Sequence, residues 1–129
     1  MINLRPHQQQ AVDAMLAYDK GQVIIPTGGG KTICMIQDYL NHQYHSCRTT
    51  VVVAPRILLA KQLCKEFMEF VSATWTHVMH VHSGETDYFS TTKSDKIALF
   101  NNTARAAGES CIIFTTYHSL EKIVQSSIC

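Results

Sequence analysis

Apolar positions along the chain follow two alternating rhythms, one of helices and one of buried strands. Ala11, Val12, Met15, Leu16 and Tyr18 recur at helical spacing with Gln8, Gln9 and Asp13 between them, which predicts a helix over 7–19. Pro6 suits its first turn and Lys20-Gly21 its end. Val23, Ile24 and Ile25 form a short apolar strand. A helix over 31–44 follows, with Ile33, Met35, Ile36 and Leu40 as its apolar set. The unbroken β-branched run at 50–54 reads as a strand buried on both faces, closed by Pro55. A long helix over 57–72 carries the stripe Ile57, Ala60, Leu63, Cys64, Phe67, Phe70 and Val71, with Lys61, Lys65, Glu66 and Glu69 on the wet side. Residues 75–81 suit another strand, and 83–92 read as a polar loop. Residues 95–107 form a helix on Ile97, Phe100 and Ala104, ended by Gly108. Cys111 to Thr115 repeats the buried-strand pattern, and a last helix starts near Tyr117 or His118 on Leu120, Ile123 and Val124. Strands alternating with helices predict βαβ units, a mostly parallel sheet between helical layers and right-handed crossovers.

Composition narrows this only modestly. A chain of 129 residues, 46% hydrophobic and 16% charged, is globular and long enough for a real core. A net charge of +1 neither supports nor excludes a nucleic-acid partner, because a local patch can act without a global excess. No run reaches membrane-span length, and the first residues lack a signal-peptide core. The five cysteines, Cys34, Cys47, Cys64, Cys111 and Cys129, form no C-x-x-C pair, and three lie in apolar segments. Reduced core thiols in an intracellular protein, cytoplasmic or nucleoid-associated, are expected.

Chemistry enters at Pro26-Thr27-Gly28-Gly29-Gly30-Lys31-Thr32. Strand, glycine run and Lys-Thr opening a helix form the layout of a phosphate-binding loop. Glycines let backbone N–H groups turn inward, and the helix start adds its positive dipole end. Lys31 then reaches the outer phosphates and Thr32 ligates Mg²⁺. The strict pattern asks for glycine at position 25, where this chain has Ile25. A plain glycine-rich turn is the alternative.

Leu4-Arg5-Pro6-His7-Gln8, the loop through Thr32, Val53-Ala54-Pro55-Arg56 and Phe114-Thr115-Thr116-Tyr117-His118-Ser119-Leu120 occur in that order. Together they resemble the first RecA-like domain of a superfamily 2 helicase or translocase, close to restriction-enzyme translocating subunits and excision-repair helicases. Motif I of that group commonly reads Pro-Thr-Gly-x-Gly-Lys-Thr, which accounts for Ile25. The resemblance implies an α/β, three-layer RecA-like P-loop NTPase domain spanning 1–129, with ATP and Mg²⁺ as cofactors. It implies that Lys31 and Thr32 are the catalytic pair, and that Arg5, Gln8 and the loop from Pro26 to Thr32 bind nucleotide. Gln8 would read the adenine edge, for which an amide offers both donor and acceptor. The alternative is an ordinary polar residue in a first helical turn.

The resemblance further implies nucleic-acid contacts at Pro55, Arg56, Thr115, Thr116 and Tyr117, with DNA expected ahead of RNA. Arg56 at a strand's carboxyl end suits phosphate, and helix capping is its plain alternative. Thr115 or Thr116 capping the last helix uses the same corner. Two features are discounted. Ser72-Ala73-Thr74 spells motif III, but in the wrong order. His80 and His82 share a strand face, yet His77, His80 and His82 have no cysteine or carboxylate at ligand spacing.

Family catalysis requires an Asp-Glu pair for Mg²⁺ and the attacking water, and no such dipeptide occurs in these residues. The sequence therefore reads as a domain truncated before motif II and the arginine finger, inactive alone. Its sheet is expected to be incomplete beside residues 23–25, inviting strand re-pairing or self-association. The rival readings are a non-catalytic nucleotide-binding or interaction module, and a different P-loop ATPase or kinase.

Overall fold

The computed structural model describes residues 3–17, 30–42, 49–71, 76–82 and 89–126. It divides into two compact units, Met1–Tyr44 and His45–Cys129. The expected strand at 23–25, the loop residues 26–29 and the 72–74 tripeptide lie outside the described residues, as do residues 83–88 of the polar stretch 83–92.

The first unit holds α1 (Pro6–Ala17) and α2 (Lys31–His42). Ala11, Val12 and Cys34 form its core, with Leu4 and Met15 packed against them. Its buried faces differ from the periodicity in detail. Leu16 is half exposed, and α2 buries Cys34, Ile36 and Tyr39 while Ile33 and Met35 stay half-buried. Cys34 donates its thiol to the Gln8 carbonyl at 4.0 Å, so a small residue seats one helix on the other.

The second unit is a four-stranded sheet in the order β1-β4-β2-β3, formed by β1 (Thr49–Ala54), β2 (Thr76–Val81), β3 (Phe89–Ser90) and β4 (Ser110–Thr116). Every pairing is parallel. α3 (Ile57–Phe67) connects β1 to β2, α4 (Ser94–Ala106) connects β3 to β4, and α5 (Leu120–Gln125) follows β4. All seven residues of β4 are buried, as its unbroken apolar run requires of a central parallel strand. Its side chains alternate between two cores. Cys111 and Ile113 pack with Met79, Val81, Ile97, Ala104 and Ile123 on the α4–α5 side. Phe114 faces α3, edge-on to Phe67 at 5.5 Å. The described strands form one continuous sheet, and the expected break beside 23–25 falls outside them.

Helix ends account for the remaining differences. After Phe67 the chain tightens into a turn, with Phe70 N–H on the Phe67 carbonyl at 3.0 Å, so α3 stops short of residue 72 while Val71 still reaches the core. Gly108 ends α4 as expected. At φ +74 it sits left-handed, Glu109 N–H bonds Ala104 O and Gly108 N–H bonds Arg105 O, both at 3.0 Å, a Schellman closure. The last helix begins later than expected, at Leu120, with Ser119 rather than Thr115 or Thr116 at the N-cap. The two-residue strand β3 hides in the polar stretch. It is held by parallel pairing to β2 and by Phe89, whose ring stacks on Phe100 at 4.9 Å.

Candidate functional site

In the first unit Gly30, the last glycine of the run, meets the start of α2. Gly30 has φ +77 and accepts from Cys34 N–H at 3.4 Å, so the chain passes from a left-handed glycine directly into the helix. Lys31 is exposed at the first helical position and Thr32 is half-buried beside it. No acidic residue lies in the first turn of α2. A positive helix end, an exposed lysine and a threonine hydroxyl fit a nucleotide's phosphates and their Mg²⁺.

Gln8 is 3% exposed and belongs to this corner. Arg5 N–H donates to Gln8 Oε1 at 2.8 Å, a capping-box contact from the third helical residue back to the N-cap. Gln8 Nε2 donates to the Gly30 carbonyl at 3.5 Å. A Cβ on Gly30 would meet that nitrogen and displace the amide, and the left-handed backbone angle itself favours glycine. The amide that the sequence suggested for adenine is thus engaged in closing α1 and bracing the loop. Arg5 is exposed at the same helix start.

In the second unit the expected nucleic-acid residues gather at the carboxyl edge of the sheet. Register pairs Ala54 with Thr116, and Tyr117 N–H donates to Ala54 O at 3.1 Å. Pro55, Arg56 and Tyr117 therefore leave the sheet side by side, all exposed. Arg56 is the N-cap of α3, in extended backbone with no side-chain cap bond. The two threonines are placed differently. Thr115 is fully buried, and its hydroxyl donates to the Val81 carbonyl at 2.8 Å, inside the sheet. Thr116 is 5% exposed and its hydroxyl accepts from Ser119 N–H at 3.3 Å. The expectation of direct contacts through the Thr115 hydroxyl gives way to a structural role, because a residue inside the β2–β4 ladder has no open side.

The histidines separate by strand alternation. His80 and His82 share a face, as expected, and their Nδ1 and Nε2 atoms lie 2.9 Å apart. His80 also stacks on Phe114 at 5.5 Å. Burial, then the charges of His82 and Lys61, push His80 down to about 4; burial and then Lys61 lower His82. His77 points to the opposite face, 3.3 Å from Glu109 and beside Phe100. Among the described residues no three metal-ligating side chains converge. Cys34, Cys64 and Cys111 are free, buried thiols, and burial pushes Cys111 up to about 12.

A parallel sheet covered by helices on both faces, with polar and basic residues at its strand ends, is the architecture of a RecA-like α/β domain. The model of the type III restriction enzyme res subunit family matches residues 1–128, and the chain belongs to that family. It is thus a member of a helicase and translocase lineage. A solved structure of a nuclease-deletion mutant of the Type ISP restriction-modification enzyme LlaGI, in complex with a DNA substrate mimic, superposes with a TM-score of 0.81. That match covers 98% of this chain at 23% identity, a likeness of fold, and the chain spans only 14% of that enzyme. No curated protein matches the sequence. Among the described residues no helix is long and apolar enough to cross a membrane.

Proposed function

We propose that this chain is the N-terminal ATP-binding part of an ATP-dependent nucleic-acid helicase or translocase. The observation that carries the reading is the junction at Gly30, where a left-handed glycine opens α2 directly onto Lys31 and Thr32. When bound, Mg²⁺-nucleotide supplies a phosphoanhydride and the metal charge that offsets its negative oxygens. Lys31 pairs with the outer phosphates, Thr32 holds the metal through its hydroxyl, and the first amides of α2 cradle the phosphate oxygens. Gln8 braces the Gly30 carbonyl. Reading adenine with the same amide requires it to exchange its Arg5 or Gly30 bond for the base. The strand-end residues Pro55, Arg56, Thr116 and Tyr117 are the proposed track for one nucleic-acid strand, DNA ahead of RNA. An Asp-Glu pair occurs nowhere in the 129 residues, so binding rather than turnover is the property to measure.

The test is a titration of a fluorescent ATP analogue with Mg²⁺ against the chain and against Lys31→Ala. Lys31 is exposed, so its loss leaves the fold intact while binding falls by about tenfold or more, the usual value of a charge-assisted contact. Equal binding by both proteins would remove the phosphate-loop reading.

A further inference from the structure

Tyr117 is the feature that phosphate recognition leaves unexplained. Its side chain is 66% exposed, the most exposed aromatic among the described residues. The other described aromatics at or near the surface have partners or are less open: Phe89 stacks on Phe100, and Phe70 is 39% exposed. Among the described residues no ring packs on Tyr117, and its backbone is held rigidly. Its N–H bonds Ala54 O at 3.1 Å, and the next turn is closed by Ser119 N–H on Thr116 O at 3.1 Å. A large, flat side chain is therefore presented to solvent from a fixed strand end.

Its neighbours are cationic or apolar. Arg56 lies two residues beyond Ala54, where the adjacent strand ends, and makes no ion pair among the described residues; His118 is exposed next to Tyr117. Leu58, one residue into α3, is 77% exposed. The first turn of α3 carries no acid. The nearest carboxylate along the chain, Glu121, lies 3.9 Å from Lys122. An exposed ring beside an unpaired guanidinium is the pairing that single strands use: the base lies on the ring and its phosphate on the cation. A duplex keeps its base faces stacked inside and offers the ring nothing.

We propose that Tyr117 is a base-stacking platform for single-stranded nucleic acid, with Arg56 neutralising the neighbouring phosphate. This rests on the nucleic-acid reading above and adds to it a preference for unpaired bases. The experiment uses the whole chain at low salt and fluorescence anisotropy with three labelled probes of equal length: oligothymidylate, the same backbone without bases, and a duplex. Wild type binds oligothymidylate about fivefold to a hundredfold more tightly than the abasic strand, the range expected for one stacked base. Tyr117→Ala removes that difference, Tyr117→Trp retains it, and Arg56→Ala weakens oligothymidylate and abasic strand by the same factor. Equal binding of oligothymidylate and abasic strand by wild type, with Tyr117→Ala unchanged and Arg56→Ala weakened, overturns the stacking proposal and leaves the phosphate reading standing. No salt-sensitive binding of any probe by wild type overturns both.

Discussion

Lowering the pH from 7.5 to 5 should unfasten the sheet through one pair of side chains. His80 and His82 sit 1% and 2% exposed on the α3 side, with facing ring nitrogens 2.9 Å apart. In the neutral pair one ring donates and the other accepts. A proton added to either ring is a charge brought into an apolar layer between Phe114 and α3, with Lys61 the nearby cation. In the unfolded chain His80 titrates near the ordinary histidine value of 6.5, in the folded one at about 4. The unfolded chain therefore binds the proton first. The contribution to stability is complete above about pH 6.5 and drains away as pH falls toward 4. Each tenfold difference in proton affinity between the two states is worth about 1.4 kcal/mol, so the whole effect is about 3 kcal/mol, of which about 2 kcal/mol is gone by pH 5. Against a total of about 5–15 kcal/mol that is a large loss.

Urea titration at pH 7.5, 6 and 5 measures it directly. With a slope of about 1–3 kcal/mol per molar, the midpoint should fall by about 1 M across that range. The double variant His80→Leu/His82→Leu exchanges both rings for apolar groups of similar size, so it should fold and show a flatter profile. Carboxylates and the exposed histidines contribute equally to both proteins and cancel in the comparison. Equal losses of stability by wild type and double variant between pH 7.5 and 5 would refute the assignment of the acid sensitivity to this pair.

Two further perturbations separate scaffold from surface. Gly30→Ala meets a positive φ and the Gln8 amide at once, so the thermal midpoint should drop by the equivalent of about 1–3 kcal/mol, and adding Gln8→Ala should restore only the steric part. Full recovery in the double variant would show that the backbone angle carries no cost. Thr115→Val strips the Val81 carbonyl of its side-chain donor and should cost about 1 kcal/mol in urea without changing oligonucleotide binding. Weakened binding at unchanged stability would return Thr115 to the nucleic-acid track.

The elements were legible where burial and rhythm agree. The run at 111–115 is buried whether viewed as sequence or as sheet, because a central parallel strand has no wet face to break the pattern, whereas the run at 50–54, expected to be buried on both faces, lies at the edge of the described sheet and buries only Val52 and Ala54. Gly108 announced its helix end because a left-handed terminus favours that residue. The features hidden from the sequence depend on partners distant along the chain. Phe89 makes a strand only because β2 and Phe100 are there to receive it. Thr49 bonds the buried Asn101 on α4, and nothing local to either residue signals the pairing.

The same distinction divides the candidate site. Thr115 and Tyr117 both belong to one motif-like stretch, and sequence offers no reason to treat them differently. Register decides. Thr115 lies opposite Val81 within the ladder and spends its hydroxyl there, whereas Tyr117 is one step past the Ala54–Thr116 pair, where the ladder has ended. A shift of one residue along β4 would take Thr115 off its pairing with Val81 and also turn Ile113 from its core to the opposite face. The apolar residues that fix this register therefore also fix which polar side chains reach the rim. Losses of nucleic-acid binding in this domain should accordingly arise from core substitutions on β4 as well as from substitutions of Arg56 or Tyr117. The two are told apart by whether the urea midpoint moves with the affinity.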